Sequence, residues 1–333
     1  MTIRFPAPLR PGDCVAVCAM SSGVPEVLQG RLEASLHALR TAGYQVVEGA
    51  TLRRQHKQAS GSAAERLADL ERFLFDPQIR AILPPWGGER AIELLPLLDW
   101  PRLAAGEAKW LCGFSDVSTL AVPLALRAGW ATLHAPNLFD LSEPARQPEM
   151  QALWHSWRHG LPPVQTASQA VWWHGDSLQT AASSTRLLHG EDACIEGRLL
   201  GGCLDVLMHL AGTPFFDLSA WQGTPIVLYL ENAELRPCSV LRALSGMRLA
   251  GCFNGLSGLV LGRSSAANAS DERELSYYEA VALALDGLPC PVVLDADIGH
   301  LPPQWSLLNG AWARLEVTPG KARLEQWREG PHA

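Results

Sequence analysis

Short apolar runs alternate with longer amphipathic stretches through the first half of the chain. The run from Cys14 to Ala19 predicts a buried strand, and the leucines that follow it recur at helical spacing up to Gly43. Four later runs predict further strands: Tyr44 to Val47, Arg80 to Leu83, Trp110 to Cys112 and Trp130 to Leu133. Strands separated by helices of this length form a parallel sheet with helices on both faces. We therefore expect an α/β fold with an N-terminal doubly wound parallel-sheet domain.

The second half has a different pattern, with more strands and fewer helices. Its predicted strands are Pro225 to Leu230, Ser257 to Leu261, Pro291 to Leu294, Trp305 to Leu308 and Trp312 to Val317, the last two antiparallel. This pattern predicts a smaller β-rich C-terminal domain. We place the α/β domain at residues 1–162 and the β-rich domain at 191–333. Residues 163–190 are interpreted as a linker or active-site loop, because a loop of that length usually has a function.

Composition limits the class of protein and its partners. The 333 residues are 47% hydrophobic and 18% charged, which is typical of a globular protein with two domains. A net charge of −7 argues against nucleic acid or an anionic membrane as a partner. No apolar run approaches the ~20 residues that span a bilayer, and no signal peptide is recognisable, so a cytoplasmic protein is expected. The eight cysteines form no C-x-x-C pair and are expected to be free thiols.

A serine stands where a predicted strand turns into a helix, in the sequence Gly113-Phe114-Ser115-Asp116. Such a corner exposes a hydroxyl beside free backbone N–H groups, which suits a nucleophile. The second glycine of the G-x-S-x-G elbow is absent, since Val117 occupies its place. On this motif alone the N-cap of a helix is the more common role for Ser115, because Ser and Asp are ordinary capping residues. The motif alone leaves both interpretations open.

A nucleophilic serine needs a base and a carboxylate that orients the base. Of the ten histidines, His134 and His300 directly follow predicted strands, and His300 lies in a turn after a glycine. Glu231 ends an apolar strand, where a charge must be paired or hydrogen-bonded. Asp295 and Asp297 with His300 could suggest a metal site, but no metal-binding motif accompanies them, and we expect neither metal nor cofactor.

At these residues the chain resembles the LD-carboxypeptidases together with the microcin C immunity proteins. The resemblance covers nearly the whole length and rests on many short motifs in one order. They are Leu9-Arg10-Pro11-Gly12-Asp13, Asp76-Pro77, Ala81-Ile82, Gly87-Gly88, Lys109, Gly113 to Ser118, His134 with Pro136, Gly201-Gly202, Gly212-Thr213, Leu230-Glu231, Leu261-Gly262 and Gly299-His300.

The resemblance implies a serine peptidase with a Ser-Glu-His triad, commonly a homodimer. Carried over residue by residue, it makes Ser115 the nucleophile, His300 the general base and Glu231 the orienting carboxylate. The backbone N–H groups of Asp116 and Gly88 would form the oxyanion hole, with Gly87 as the alternative to Gly88. The triad would then lie in a cleft between the two domains.

The substrate implied by the resemblance is a small peptide or a peptidyl nucleotide. A microcin C-like peptidyl or aminoacyl nucleotide is favoured over a murein L,D-tetrapeptide for two reasons. The segment after Gly87-Gly88 lacks the Tyr-Gly that often follows in the murein enzymes, and the 163–190 loop carries Trp172 and Trp173. One indole could stack on a base, or the pair could pin the loop. The chain departs from the family pattern at two places. Where relatives often have Gly-Gly-Asn, it has Gly201-Gly202-Cys203, and where many have Pro-Ser after the first strand, it has Ala19-Met20-Ser21-Ser22. The alternative from another class is a non-catalytic peptide- or nucleotide-binding protein.

Overall fold

The computed structural model describes residues 2–143, 146–168, 170–174, 177–181 and 185–330, with the backbone alone for 170–174 and 177–181. The chain divides into two compact units. Unit 1 comprises Met1–Pro163 with Ser306–Gly310, and unit 2 comprises Val164–Trp305 with Ala311–Ala333. The units are of nearly equal length.

Strands and helices alternate through unit 1, whereas unit 2 also contains runs of consecutive strands. The strands are β1 (Cys14–Val17), β2 (Gln45–Glu48), β3 (Ile79–Leu83), β4 (Trp110–Leu111), β5 (Thr132–His134), β6 (Gln165–Thr166), β7 (Ala170–His174), β8 (Ser177–Ala181), β9 (Arg186–Leu187), β10 (Ala193–Cys203), β11 (Ile226–Glu231), β12 (Leu256–Gly262), β13 (Val292–Ala296), β14 (Leu307–Asn309), β15 (Trp312–Thr318) and β16 (Lys321–Trp327). The α-helices are α1 (Gln29–Thr41), α2 (Ala63–Phe75), α3 (Trp100–Ala105), α4 (Ser118–Pro123), α5 (Gln147–His159), α6 (Leu204–Leu207), α7 (Pro237–Leu249) and α8 (Tyr277–Leu285). Within the described ranges, no helix has the length and apolarity needed to cross a bilayer.

Unit 1 is built on a four-stranded parallel sheet in the order β2-β1-β3-β4. The chain moves outward from β1 to β2 and then back past β1 to β3. Because crossovers are right-handed, this reversal places α1 and α2 on opposite faces of the sheet. The doubly wound α/β fold predicted for this part is thereby confirmed. The strand order reverses between β1 and β3, and ligands bind outside the carboxyl ends of strands at such a point.

The helices of unit 1 follow their sequence signals except where proline intervenes. Helix α2 begins with a capping box in which Ser62 and Glu65 satisfy each other's backbone N–H groups. The spacing of Ile92, Leu95 and Leu98 predicts one helix that begins at Glu89 with Ile92 inward. The structure instead has a short 3₁₀ helix over Ala91–Leu94 and leaves Ile92 41% exposed. Pro96 lies two residues after this helix, and proline has no backbone N–H with which to continue it.

Unit 2 contains an eight-stranded mixed sheet in the order β6-β16-β15-β10-β11-β12-β13-β9. Strands β10 to β13 are parallel to one another, and antiparallel strands flank them on both sides. The predicted β-rich character is confirmed, and the sheet also contains a parallel centre with the contacting helices α7 and α8. The apolar run from Leu204 to Leu210 predicts a helix, of which the structure has only the four residues of α6.

Two segments differ from the sequence interpretation. The stretch 163–190, interpreted as a linker or loop, holds four short strands, of which β6 and β9 form the two edges of the eight-stranded sheet. Strand β14 does not pair with β15. It pairs antiparallel with β5 and therefore belongs to unit 1.

Candidate active site

Ser115 occupies a sharp corner after β4. A 3₁₀ helix spans Ser115–Val117 and α4 follows at once, while Ser115 itself has φ +64°. This left-handed conformation is costly for a residue with a side chain and is concentrated at functional sites. Ser115 is not an N-cap, because Phe114 and Val117 hold the cap positions of these two helices and neither cap is a side-chain hydrogen bond. The capping interpretation is therefore wrong.

The backbone of Gly87 lies directly against this corner. A Cβ built on Gly87 would be 2.6 Å from Ser115 Cβ, 2.7 Å from Ser115 Oγ and 3.0 Å from the backbone N of Asp116. Only glycine allows such an approach. Gly88 follows with φ +139°, and its Cβ position would be 2.4 Å from Ser21 Oγ. Both glycines considered for the oxyanion hole, of which Gly87 is also a candidate for substrate binding, thus lie at the edge of the sheet that carries Ser115.

The side chain of Asp116 joins the ends of three strands. This carboxylate is 2% exposed and accepts hydrogen bonds from Ser21 Oγ at 2.6 Å, the Ala91 backbone N–H at 2.9 Å and Thr119 Oγ1 at 2.8 Å. Ser21 Oγ in turn accepts the backbone N–H of Arg90 at 2.9 Å. The carboxylate therefore fixes the segment after Gly88 beside Ser115. Sequence reasoning assigned a role only to the Asp116 backbone and missed Ser21, although Ser21 follows β1 at the carboxyl edge.

In unit 2, His300 and Glu231 form a hydrogen-bonded pair. His300 Nδ1 is 2.8 Å from Glu231 Oε2, and the side-chain exposure is 26% for the histidine and 0% for the glutamate. When the neutral ring donates from Nδ1, Nε2 is left as the acceptor. A buried carboxylate thus sets the tautomer of a partly exposed imidazole. His134, the other histidine considered, is 2% exposed at the end of β5.

The position of Glu231 is fixed by its strand and by a glycine. Glu231 ends β11 in parallel register with Cys203 of β10. Gly299 has φ +103°, and a Cβ on it would be 2.5 Å from Glu231 Oε2. The absence of a side chain at residue 299 therefore allows the turn that carries His300 to close on the glutamate.

Cys203 is a potential nucleophile near this pair, since it lies opposite Glu231 in the sheet. Its thiol is buried and lies 3.6 Å from Asp205 Oδ2. Burial raises the pKa of the Cys203 thiol well above its usual value, and the negative charges of Glu231 and Asp205 raise it further. Because the thiolate is the reactive form, this thiol is unsuited to nucleophilic attack.

The aspartates considered for a metal site have other partners. Asp295 pairs with Arg186 and accepts the Tyr278 hydroxyl at 3.1 Å. Asp297 accepts the Ser168 backbone and hydroxyl donors at 2.8 Å, and its other oxygen is 3.2 Å from Arg263 Nη1. Across the described part of the chain, no group of three or more His, Cys, Asp or Glu side chains could hold a metal ion.

The predicted residues fall into two groups, one in each unit. Ser115, Asp116, Gly87 and Gly88 lie together in unit 1, whereas Glu231 and His300 lie together in unit 2. Trp172 and Trp173 belong to β7, opposite Gln179 and Leu178 of β8 in an antiparallel hairpin. The two tryptophan side chains lie outside what the structure describes.

Comparison with known proteins extends over most of the chain. The family model of the LD-carboxypeptidase N-terminal domain matches residues 15–135, and that of the LD-carboxypeptidase C-terminal domain matches residues 196–315. A Streptomyces coelicolor protein named as a carboxypeptidase is 31% identical over 327 residues, which are 96% of each chain.

Two further relatives have names that state a function. The murein tetrapeptide carboxypeptidase of Pseudomonas aeruginosa is 32% identical over 209 residues, 59% of this chain and 60% of its own. The Escherichia coli microcin C7 self-immunity protein MccF is 23% identical over 321 residues, 91% of this chain and 90% of its own. The structure of MccF in complex with glutamyl sulfamoyl guanosine matches with a TM-score of 0.81 at 22% identity, covering 97% of this chain and 98% of that one. This likeness shows a shared fold.

Replacing Gly87 by Ala should disable Ser115 without unfolding the protein. The new Cβ would overlap the serine side chain, and a displacement near 1 Å can reduce a rate about 10²-fold. We expect labelling of Ser115 by a fluorophosphonate to slow by about that factor. Overpacking should cost about 1–3 kcal/mol of stability.

The matched control for this variant is Gly30→Ala in α1, where the added Cβ meets nothing within 4 Å. It should label at the parental rate. Parental labelling of Gly87→Ala would show that the Gly87 backbone does not set the position of the serine.

Cysteine alkylation should distinguish the buried thiols from the exposed ones. Burial raises the pKa of Cys18, Cys112 and Cys203, so iodoacetamide at pH 8 should leave them unmodified in the folded protein. Cys194 and Cys238 are exposed and should react. Peptide mass spectrometry with and without denaturant provides the measurement. Rapid alkylation of Cys203 with parallel loss of activity would instead mark it as a nucleophile.

Proposed function

This chain belongs to the LD-carboxypeptidase family, and we propose that it is a serine carboxypeptidase that hydrolyses the C-terminal amide bond of a small modified peptide. The observation that carries the proposal is the His300–Glu231 pair, in which a fully buried carboxylate lies 2.8 Å from Nδ1 of a partly exposed imidazole. A pair of this kind orients a general base. The partly exposed Ser115, at its sharp corner, supplies a hydroxyl suited to be its nucleophile.

In the proposed reaction, His300 Nε2 takes the proton of Ser115 as Oγ attacks the amide carbonyl carbon. The C–N bond then breaks while the imidazolium gives that proton to the leaving nitrogen. This step leaves an acyl-enzyme and a free amine. The same imidazole next deprotonates water, which attacks the acyl carbon, and the proton returns to Ser115 Oγ as the acid is released. Glu231 stabilises the imidazolium at each stage.

The oxyanion of the tetrahedral intermediate needs preorganised donors. We assign this role to the backbone N–H groups of Asp116 and Gly88, with Gly87 as the alternative. The support is the approach of the Gly87 backbone to Ser115 Oγ and the Asp116 N, together with the Asp116 carboxylate that holds the adjoining Ala91 N–H. Donors fixed in this way need no rearrangement as charge develops.

For the substrate, we propose a microcin C-like peptidyl or aminoacyl nucleotide, cleaved to confer self-immunity. The support is the tryptophan pair at 172 and 173, because an indole can stack on a nucleobase. MccF, a relative over 91% of this chain, is named as a self-immunity protein.

The second candidate is a murein L,D-tetrapeptide, from which the terminal D-alanine would be released. The observation that favours it is the 32% identity to the murein tetrapeptide carboxypeptidase of Pseudomonas aeruginosa. The homodimer and the cytoplasmic location expected from the sequence stay predictions.

Variants of Ser115 and of the His300–Glu231 pair should show whether these residues act as one catalytic unit. Ser115→Ala and His300→Ala should each lower kcat by about 10⁴-fold or more. Glu231→Gln keeps the shape but cannot stabilise an imidazolium, so kcat should fall about 10²-fold or more with little change in KM. Because only a neutral imidazole accepts a proton, parental activity should fall as the pH is lowered. Peptide and nucleotide conjugates analysed by mass spectrometry provide the assay.

Fluorophosphonate labelling separates an enzyme from a binding protein. Parental protein should be labelled at Ser115, and Ser115→Ala should not. An unlabelled parent that binds ligand without turnover would favour the non-catalytic alternative. Turnover of Ser115→Ala within tenfold of the parent would remove the serine from the mechanism.

The tryptophans allow a direct test of substrate class. If one indole stacks on a base, Trp172→Ala or Trp173→Ala should cost about 1–3 kcal/mol of binding, or roughly 5- to 150-fold in kcat/KM, on a nucleotide-bearing substrate. A murein tetrapeptide should be affected far less. Equal losses on both substrates would mean that the pair pins the hairpin, and the nucleotide proposal would lose its support.

A further inference from the structure

The chain between β2 and α2 contains a tight turn with two strained residues. His56 and Ala59 exchange backbone hydrogen bonds of 2.9 and 3.1 Å, and the two residues between them, Lys57 and Gln58, have φ of +48° and +59°. A two-residue turn with both central φ values positive favours glycine, asparagine or aspartate. Lys57 and Gln58 hold this left-handed conformation at an energetic cost.

Contacts with the residues that follow β1 and β3 fix this turn. The Lys57 carbonyl accepts a hydrogen bond from Arg90 Nη1 at 3.0 Å, and the Gln58 carbonyl accepts one from Ser22 Oγ at 3.2 Å. The Ser22 backbone N–H donates to the Gly87 carbonyl at 3.4 Å. Three successive contacts therefore lead from the turn to Ser115, and the turn lies at the same sheet edge as the candidate nucleophile.

Lys57 differs from the other basic residues of this segment in its charge environment. Arg53 pairs with Glu33 and Glu48, and Arg54 pairs with Glu65. Lys57 is exposed, and the ion pairs of the described residues include none with its ammonium group. A cation on a rigid turn, without a carboxylate partner, is available to a ligand.

We propose that Lys57 is a substrate-binding residue that takes an anionic group of the substrate, a carboxylate or a phosphate. The inference rests on the proposed function and extends it to substrate charge. The ordered turn lowers the entropy lost on binding, since only the lysine side chain must be immobilised. The fixed backbone also explains why strain is tolerated here. The contacts from Arg90 and Ser22 hold a conformation that would otherwise relax.

Equilibrium binding in the Ser115→Ala background tests the proposal without turnover. Two ligand pairs identify the anion: a murein tetrapeptide against its C-terminal carboxamide, and adenosine monophosphate against adenosine. Lys57→Met should weaken binding of the carboxylate or the phosphate member about tenfold and leave the neutral member within about twofold. Lys57→Arg should retain the preference. The affected pair shows which anion is bound.

Glycine variants separate the side chain from the strain. Lys57→Gly should raise the melting temperature by about 2 °C, because glycine adopts positive φ freely, while weakening anion binding as Lys57→Met does. Gln58→Gly is the matched control, since it should stabilise the same turn and leave the affinity unchanged.

Two results would overturn the proposal: equal binding by the parent of the charged and neutral members of both pairs, or unchanged anion binding in Lys57→Met. Failure of the proposed function would be seen in a different measurement, namely full catalytic activity of Ser115→Ala. The Lys57 measurements do not depend on that activity, because they measure affinity alone.

Discussion

The buried carboxylate of Asp116 is the interaction on which the geometry around the nucleophile depends. A charge with 2% exposure is tolerated only when its oxygens are satisfied. Here the donors come from a serine after β1, a backbone N–H after β3 and a threonine at the start of α4. Removal of any donor would leave part of a buried charge unsatisfied. The requirement to solvate one carboxylate thus holds three chain segments in a single arrangement.

Unit 2 also contains a buried carboxylate that is hydrogen-bonded, but this carboxylate has a different role. Glu231 is also buried at the carboxyl end of a parallel strand. Asp116 accepts hydrogen bonds from hydroxyl and backbone groups, whereas Glu231 is hydrogen-bonded to a titratable ring, that of His300. The first carboxylate therefore fixes structure, while the second controls which ring nitrogen can accept a proton. A close backbone approach that a side chain would prevent accompanies each carboxylate: Gly87 lies against Ser115 and the backbone N of Asp116, and Gly299 lies against the side chain of Glu231.

Sequence patterns predicted the parts of the fold that arise from local periodicity. Alternating apolar runs identified β1 to β4, and an isolated charge at the end of an apolar run singled out Glu231. Predictions failed where distant partners decide the outcome. The edge strands β6 and β9 are two residues long and exist through pairing with β16 and β13. The role of the Asp116 side chain was hidden because its partner Ser21 is 95 residues away. Family resemblance, rather than periodicity, joined Ser115 to His300 and Glu231.

The membership of β14 in unit 1 has a consequence for how the chain is made. Strand β5 is complete once residue 134 has been synthesised, but its antiparallel partner, Leu307–Asn309, is translated only after nearly all of unit 2. During synthesis, the edge of β5 therefore stays unpaired until β14 has been made. Unpaired strand edges promote association with other chains. A fragment that ends at Pro163 would keep that edge permanently. The boundary between the units is thus not a place where the gene can be cut into two independently folding halves.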